Sequence, residues 1–180
     1  MEDSHEGIIH EEIWETVQLE IARRKAYREE HQLKSYIMQS EDNPFTTKVF
    51  CGACGSAFGW KNWATSRGKR KVWQCNNRYR IKGVEGCYSS HLDEATLEQI
   101  FLKALELLSE NIDLLEGKWE KILEENRLLY KHYSIALSDL LRQEQTDFNH
   151  SDMCRVLDHI RIGLEGEITV RFLEGTEVDL

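Results

Sequence analysis

KVFCGACGSAFGWKNWATSRGKRKVWQC, residues 48–75, holds three cysteines, three tryptophans and six basic side chains, with no aspartate or glutamate. The basic run continues beyond it. Between Asn43 and Val84 there are nine lysines and arginines and no acidic residue, in a chain whose formal net charge is −9, so the remainder carries −18. A block of one sign creates a local field that attracts polyanions, whatever the overall balance.

Four cysteines in and just after this stretch are spaced C-x2-C-x20-C-x11-C: Cys51, Cys54, Cys75 and Cys87. A CxxC followed by Gly55 makes a tight knuckle, in which two thiolates converge while backbone N–H groups bond to sulfur. Zn2+ takes four such ligands in a tetrahedron, with Zn–S near ~2.3 Å. A segment of about forty residues with few aliphatic side chains cannot hold itself together by burial, so a metal staple is physically reasonable. Structural Zn2+ contributes on the order of 10–16 kcal/mol in small sites. His91, four residues after Cys87, could replace one of these ligands, and four unrelated buried thiols are the other alternative. With all four positions filled by protein the ion is structural, because no open coordination site remains. Cys154 stands apart and reads as a small core residue.

Residues 45–91 show no helical period. Phe50, Phe58, Trp60, Val72 and Trp73 favour strands, and SRGK at 66–69 is a turn signal. The expectation is a β-hairpin with arms near 57–64 and 70–75. Its arms and tip carry Lys61, Arg67, Lys69, Arg70 and Lys71, and the next cysteine interval adds Arg78, Arg80 and Lys82 beside Tyr79. Such groups bind phosphates, and arginine also reads guanine edges. Trp60, Trp63 and Trp73 either pack under the hairpin or stack on bases.

The rest of the chain reads as helix-rich, in an α+β fold: a zinc β-ribbon with long flanking helices and a small C-terminal hairpin. Residues 1–44 hold one amphipathic helix over about 10–40, with Ile13, Trp14, Val17 and Ile21 at helical spacing, closed by the only proline, Pro44. Residues 45–92 are the ribbon. Residues 93–148 are helical, with Leu105, Leu108, Ile112, Leu115, Trp119, Ile122, Leu129, Tyr133, Ala136 and Leu140 forming a heptad-like seam interrupted by Asn126. A break is expected at Asn111, in a left-handed conformation, followed by an Asp113/Glu116 capping box; Gly117 is a second weak point. The seam serves either two helices packed on the domain or a short coiled coil that meets another chain. Residues 149–180 hold a short helix through Asp158, then a hairpin turning at Glu165-Gly166, a turn at FLEGTEV and a short last strand.

No apolar run approaches the ~18–20 residues of a bilayer span, and the acidic start MEDSHEGIIH lacks the features of a secretory signal. A reducing cytoplasm is therefore expected, where free or metal-bound thiols outnumber disulfides. No GxSxG, P-loop or HExxH pattern occurs, and no other catalytic constellation emerges.

FCGACGSAFGWKNW, then KRKVWQCNNRYRIKGVEGC, then HLDEATLEQIFLKAL resemble the recombinase zinc β-ribbon domain of large serine recombinases, the phage integrases and related site-specific recombinases. SHEGIIHEEIWETVQ resembles the tail of the helical domain that precedes the ribbon in that family, and LDHIRIGLEGEITVRFLEGTEV resembles its closing segment. The resemblance implies Cys51, Cys54, Cys75 and Cys87 as zinc ligands and double-stranded attachment-site DNA as partner. It also implies assembly with other recombinase subunits as dimers and tetramers, in a bacterial or phage-encoded cytoplasmic protein. The family's catalytic serine lies in an amino-terminal domain with no counterpart here, so the chain is expected to be a non-catalytic DNA-binding fragment. The competing expectations are a zinc-stapled interaction scaffold that works through its helices, and an RNA- or transcription-associated zinc ribbon.

Overall fold

The computed structural model describes residues 8–33, 39–66, 68–81, 83–84, 86–124, 127–143 and 146–180, with side chains omitted at 122–124. Helix α1 spans Glu11–Glu30, strand β1 Val49–Cys51, and a hairpin is made by β2 (Phe58–Thr65) and β3 (Gly68–Cys75). Helices α2 (Glu94–Glu110), α3 (Ile112–Glu124), α4 (Leu128–Leu141) and α5 (His150–Val156) follow. The chain closes with β4 (Leu157–Ile162), β5 (Ile168–Phe172) and β6 (Glu177–Asp179). The α+β class and the two hairpins stand as read from the sequence.

The sequence pattern did not reveal how the ends of the chain meet. β1 is three residues long, too short to stand alone, and it pairs in parallel with β4, setting Val49 against Ile160 and Cys51 against Ile162. β4, β5 and β6 continue antiparallel, so the sheet order is β1-β4-β5-β6. Gly52 N–H adds a hydrogen bond to Ile162 O at 2.8 Å. The C-terminal hairpin thus supplies the edge that β1 requires, more than a hundred residues away in sequence. Within that hairpin Ile160, Ile162, Val170 and Phe172 are buried as their alternation predicts, whereas Leu164 lies in the connecting turn and is exposed.

The long helical region breaks where expected, for a different local reason. Asn111 has φ −117°, ψ 24°, not a left-handed conformation, and its side-chain amide donates to Leu107 O at 2.8 Å. It therefore satisfies an end-of-helix carbonyl itself. α3 begins at Ile112, which places Asp113 inside its first turn and not at a cap; the helix continues through Gly117. α2 has a side-chain cap: Asp93 accepts from Thr96 N–H at 2.9 Å. The seam residues Leu105, Leu108, Leu115, Trp119, Leu129, Tyr133, Ala136 and Leu140 are all buried within this one chain. Ile112 packs against the same core, while Asn126 and the Ile122 side chain lie outside the described residues. The seam is spent on internal packing, and the core joins it to Phe45, Trp73, Met153 and the terminal sheet.

α1 departs furthest from its expectation. It ends at Glu30; of the stretch expected to continue it, residues 34–38 lie outside the described residues, and Gln39 follows as non-helical chain. No residue of α1 is buried, and Ile13, Trp14, Val17 and Ile21 are exposed. The face it turns to the domain is one strip further round and polar, made by Glu20, Arg23 and Tyr27. Arg23 donates to Glu20, to Tyr133 Oη at 2.9 Å and to Asp158 Oδ1 at 3.2 Å, and Tyr27 Oη donates to Thr47 O at 2.8 Å. Burial alone would raise the Glu20 carboxyl. Hydrogen bonds from Arg23, Tyr133 and Arg24 outweigh it and hold the group down at about 2. Beside this contact, a cavity of about 1040 Å³ lies between α1 and α4.

Two outcomes follow. Ile160→Ala, at a fully buried position facing β1, is expected to cost about 2–5 kcal/mol in urea denaturation. A depressed carboxyl pKa stabilises the fold above the unfolded pKa and loses that effect as pH falls through the folded one. The destabilisation of Glu20→Gln relative to the parent is therefore expected to be largest near neutrality. It should vanish as pH falls from 4.5 towards 2, read from denaturation midpoints across that range.

Candidate metal centre and basic hairpin

Each cysteine of the C-x2-C-x20-C-x11-C pattern arrives from a different local structure. Cys51 ends β1, Cys54 lies in the turn after it, Cys75 ends β3, and Cys87 sits in the loop that leads to α2. The first knuckle is closed by Gly55 N–H on Cys51 O at 2.8 Å, with Gly55 at φ +70°, a conformation a side chain disfavours. The second knuckle is less symmetric. Arg78 N–H bonds Cys75 O at 3.1 Å, Gly86 N–H bonds Arg78 O at 2.9 Å, and Cys87 N–H bonds Asn77 O at 3.2 Å. These bonds fold an eleven-residue interval back on itself, so that Cys87 returns beside Cys75.

The four sulfurs lie within 4.8 Å of one another, with Cys51–Cys87 at 3.5 Å and Cys54–Cys75 at 3.4 Å. Disulfide sulfurs would be about 2.05 Å apart. A tetrahedron with metal–sulfur bonds near ~2.3 Å has edges of about 3.8 Å, so the arrangement fits one four-coordinate ion. The electrostatics agree. Burial would raise the Cys51 thiol, but the backbone N–H groups of Cys54 and Ala53 and the side chains of Cys87 and Ser89 bring it down to about 7. Burial pushes the Cys75 and Cys87 thiols up, and neighbouring thiols push the same way. One thiolate forms readily, and the others need a cation to share the site. Asn77 Nδ2 points at Cys54 Sγ from 3.7 Å, an outer partner for the most exposed sulfur.

His91 is not in the cluster: its ring lies against Trp63, centroids 4.3 Å apart. Cys154 is also elsewhere, half-buried, with its sulfur 3.3 Å from His150 Nε2.

The hairpin rises from this centre. Its base is buried through Phe58, Val72, Trp73 and Cys75, whereas residues 60–62 and 68–70 are exposed. β2 and β3 pair from Phe58–Cys75 to Thr65–Gly68, a two-stranded arm of eight residues a side, about 26 Å long. Among the described residues only β3 is held at its outer edge, where Trp73 exchanges backbone hydrogen bonds with Leu92 at 2.7 and 2.9 Å. The tryptophans divide. Trp73 is fully buried, with Nε1 donating to Glu94 Oε2 at 3.1 Å; Trp63 is half-buried on His91; Trp60 is 44% exposed.

The basic residues divide as well. Lys61, Lys69 and Arg80 are exposed. Arg70 pairs with Asp93 Oδ2 at 2.9 Å and Lys71 with Glu94 Oε2 at 2.6 Å, so these two tie the arm to the start of α2. Lys71 also donates to Asp42 O and sits over the Trp73 ring at 5.6 Å. Arg78 is half-buried and donates to Ser89 O. Arg67 and Lys82 lie outside the described residues. Lys48, part of the same run in sequence, is buried and donates to Leu157 O at 2.6 Å, which removes it from the basic surface. Residues with supporting roles that composition did not flag are Asn77 and Gly86. Their signal was positional: glycine immediately before one ligand, asparagine two residues after another.

Residues 44–106 match the recombinase zinc beta ribbon domain family. The match takes in all four cysteines, the hairpin and most of α2. No curated protein matches the chain. Among solved structures, one described as "Sequence Requirements of the Listeria innocua prophage attP site" aligns at 18% identity and TM-score 0.47, over 96% of this chain and 58% of that one. Another, "Crystal Structure of a LSR-DNA Complex", aligns at 17% identity and TM-score 0.47, over 97% of this chain and 68% of that one. The chain therefore spans little more than half the length of the first of these.

A side chain at position 86 tests the second knuckle of the ribbon. A Cβ there would lie 2.0 Å from Asn77 O. Gly86→Ala must shift the backbone carrying Cys87, and is expected to weaken metal affinity about 10- to 100-fold, in line with losses at outer-shell positions. A competition titration against a chromogenic chelator reads this directly.

Proposed function

We propose that this chain is the DNA-binding part of a serine site-specific recombinase, in which a zinc-stapled basic hairpin recognises double-stranded attachment-site DNA. In this reading Cys51, Cys54, Cys75 and Cys87 bind Zn2+, and the ion is structural. Strand exchange belongs to a catalytic domain outside these 180 residues, and other recombinase subunits are the protein partners.

The observation that carries the reading is the joint placement, within a recombinase zinc ribbon, of four convergent thiols and a protruding arm whose tip is basic. A two-stranded ribbon is one of the few elements narrow enough for the major groove. When the ion is bound it supplies charge neutralisation and a rigid joint. The chain's own residues do the rest: Lys61, Lys69 and Arg80 face outward to meet phosphates. Arg70, Lys71 and Arg78 fix the angle of the arm and of the adjoining loop, and add field from behind. Arg67 and Lys82 belong to the proposed contact set by their place in the sequence. The burial of the described seam residues within the chain argues against a scaffold that works through that seam. No described helix is long and apolar enough to cross a membrane.

If about six phosphates are neutralised, log affinity for duplex DNA falls against log salt with a slope of roughly −5. Replacing Lys61, Lys69 and Arg80 together by alanine is expected to flatten that slope by about 3, with bound zinc unchanged. An unchanged slope in the triple variant would place the binding surface elsewhere, and equal affinity for single-stranded RNA would favour the RNA-associated alternative.

A further inference from the structure

The arm is asymmetric in a way that bears on how a sequence is read. β3 is occupied: its edge bonds Leu92, and Arg70 and Lys71 are paired with Asp93 and Glu94. β2 is the open strand, and Trp60, Lys61 and Asn62 are consecutive exposed residues on it. Side chains alternate between faces along a strand, so Trp60, Asn62 and Ala64 share one face of β2. The register sets Lys69 of β3 opposite Ala64 and Lys71 opposite Asn62 on that same face. Both faces are tied down in part: Trp63 lies on His91 and Arg70 on Asp93 on one, while Lys71 pairs with Glu94 and Trp73 is buried on the other. The side chains that remain exposed on the face of Asn62 are Trp60, Asn62 itself, Ala64 and Lys69.

Asparagine is disfavoured within strands, where β-branched and aromatic residues pack better. At position 62 it contributes nothing to burial, because it is exposed in the middle of an eight-residue strand. What an exposed carboxamide offers is a donor and an acceptor in one plane, the pattern that matches adenine N7 and N6–H2 in the major groove. Lysine is a point charge on a flexible stem and suits phosphate better than a base edge. The small Ala64 beside Asn62 and Gly68 at the turn leave the tip slim enough for close approach. Trp60, one pleat nearer the base, is placed to meet the groove wall, and Lys69 the backbone at the other side.

We infer that Asn62 is the base-reading residue of the hairpin, and that it specifies an adenine through the major groove while Trp60 and Lys69 position the arm. This rests on the duplex-binding reading above.

The test is selection from a randomised duplex library by the full zinc-loaded chain, in parallel with Asn62→Ala. Bidentate asparagine–adenine recognition predicts an adenine in the wild-type consensus whose replacement weakens binding about 10- to 100-fold. The same replacement should change affinity less than about 3-fold in Asn62→Ala. Zinc content, thermal midpoint and salt slope are expected to be shared by both proteins, which shows that the arm remains folded. A consensus without such an adenine, or a penalty that survives in the variant, overturns the assignment of Asn62 and leaves salt-dependent duplex binding standing. A wild-type protein that binds no duplex at any salt overturns both.

Discussion

Four thiols cannot be brought within 4.8 Å of one another as four anions without a cation between them, and this constraint organises the ribbon. The chain uses it as a clamp. One sulfur terminates β1, one terminates β3, one lies in the turn between the two strands' approaches, and the last is carried back by the loop before α2. The clamp fixes the base of a hairpin whose outer half has no core of its own. It also fixes β1 in the position from which it pairs with β4. The C-terminal hairpin and the ribbon are consequently one packed unit, although α2, α3, α4 and α5 intervene in sequence.

The charge distribution acquires a meaning in three dimensions that it lacks along the chain. The segment from Asn43 to Val84 has no acidic residue, yet the fold sets Asp93 and Glu94 against its centre. Two cations of the arm are thereby converted from solvent-facing charges into anchors, partly exposed pairs whose own contribution to stability is small. Their value is geometric: together with the Leu92 hydrogen bonds they hold one edge of the hairpin against the start of α2. The opposite strand keeps its exposed side chains available. An arm that was free at both edges would pay more ordering entropy on entering a groove. In the proposed reading, preorganisation by a metal at the base and by the ion pairs along one side reduces that cost.

The cysteine spacing and the two hairpins were legible because their signals are local. CxxC-Gly, a Ser-Arg-Gly turn and alternating apolar residues each act over a few positions. The break after Glu110 was legible too, although the asparagine serves it through its side chain and not through a left-handed backbone. What escaped was set by contacts distant in sequence. Nothing near Val49 announces a parallel partner at Ile160, and nothing near Lys48 announces that its ammonium ends on the carbonyls of Leu157 and Asp158. The apolar spacing of Ile13, Val17 and Ile21 is genuine helical periodicity. Periodicity, however, states only that a face exists, and here the face that touches the domain is the neighbouring polar strip around Arg23. Similarly, composition could group nine cations but could not separate Lys69, which faces solvent, from Lys71, which is tied down.

If an ion rigidifies a basic arm that engages a duplex, metal and duplex binding must rise and fall together, and the most direct test couples the two in one sample. Zinc is withdrawn stepwise by a chelator while binding to a labelled duplex, chosen from the selected consensus, is followed by fluorescence anisotropy. Loss of duplex binding in proportion to the zinc removed, with recovery when one equivalent is restored, is the predicted result. Duplex binding of undiminished affinity and salt slope by protein shown to be free of metal would contradict it.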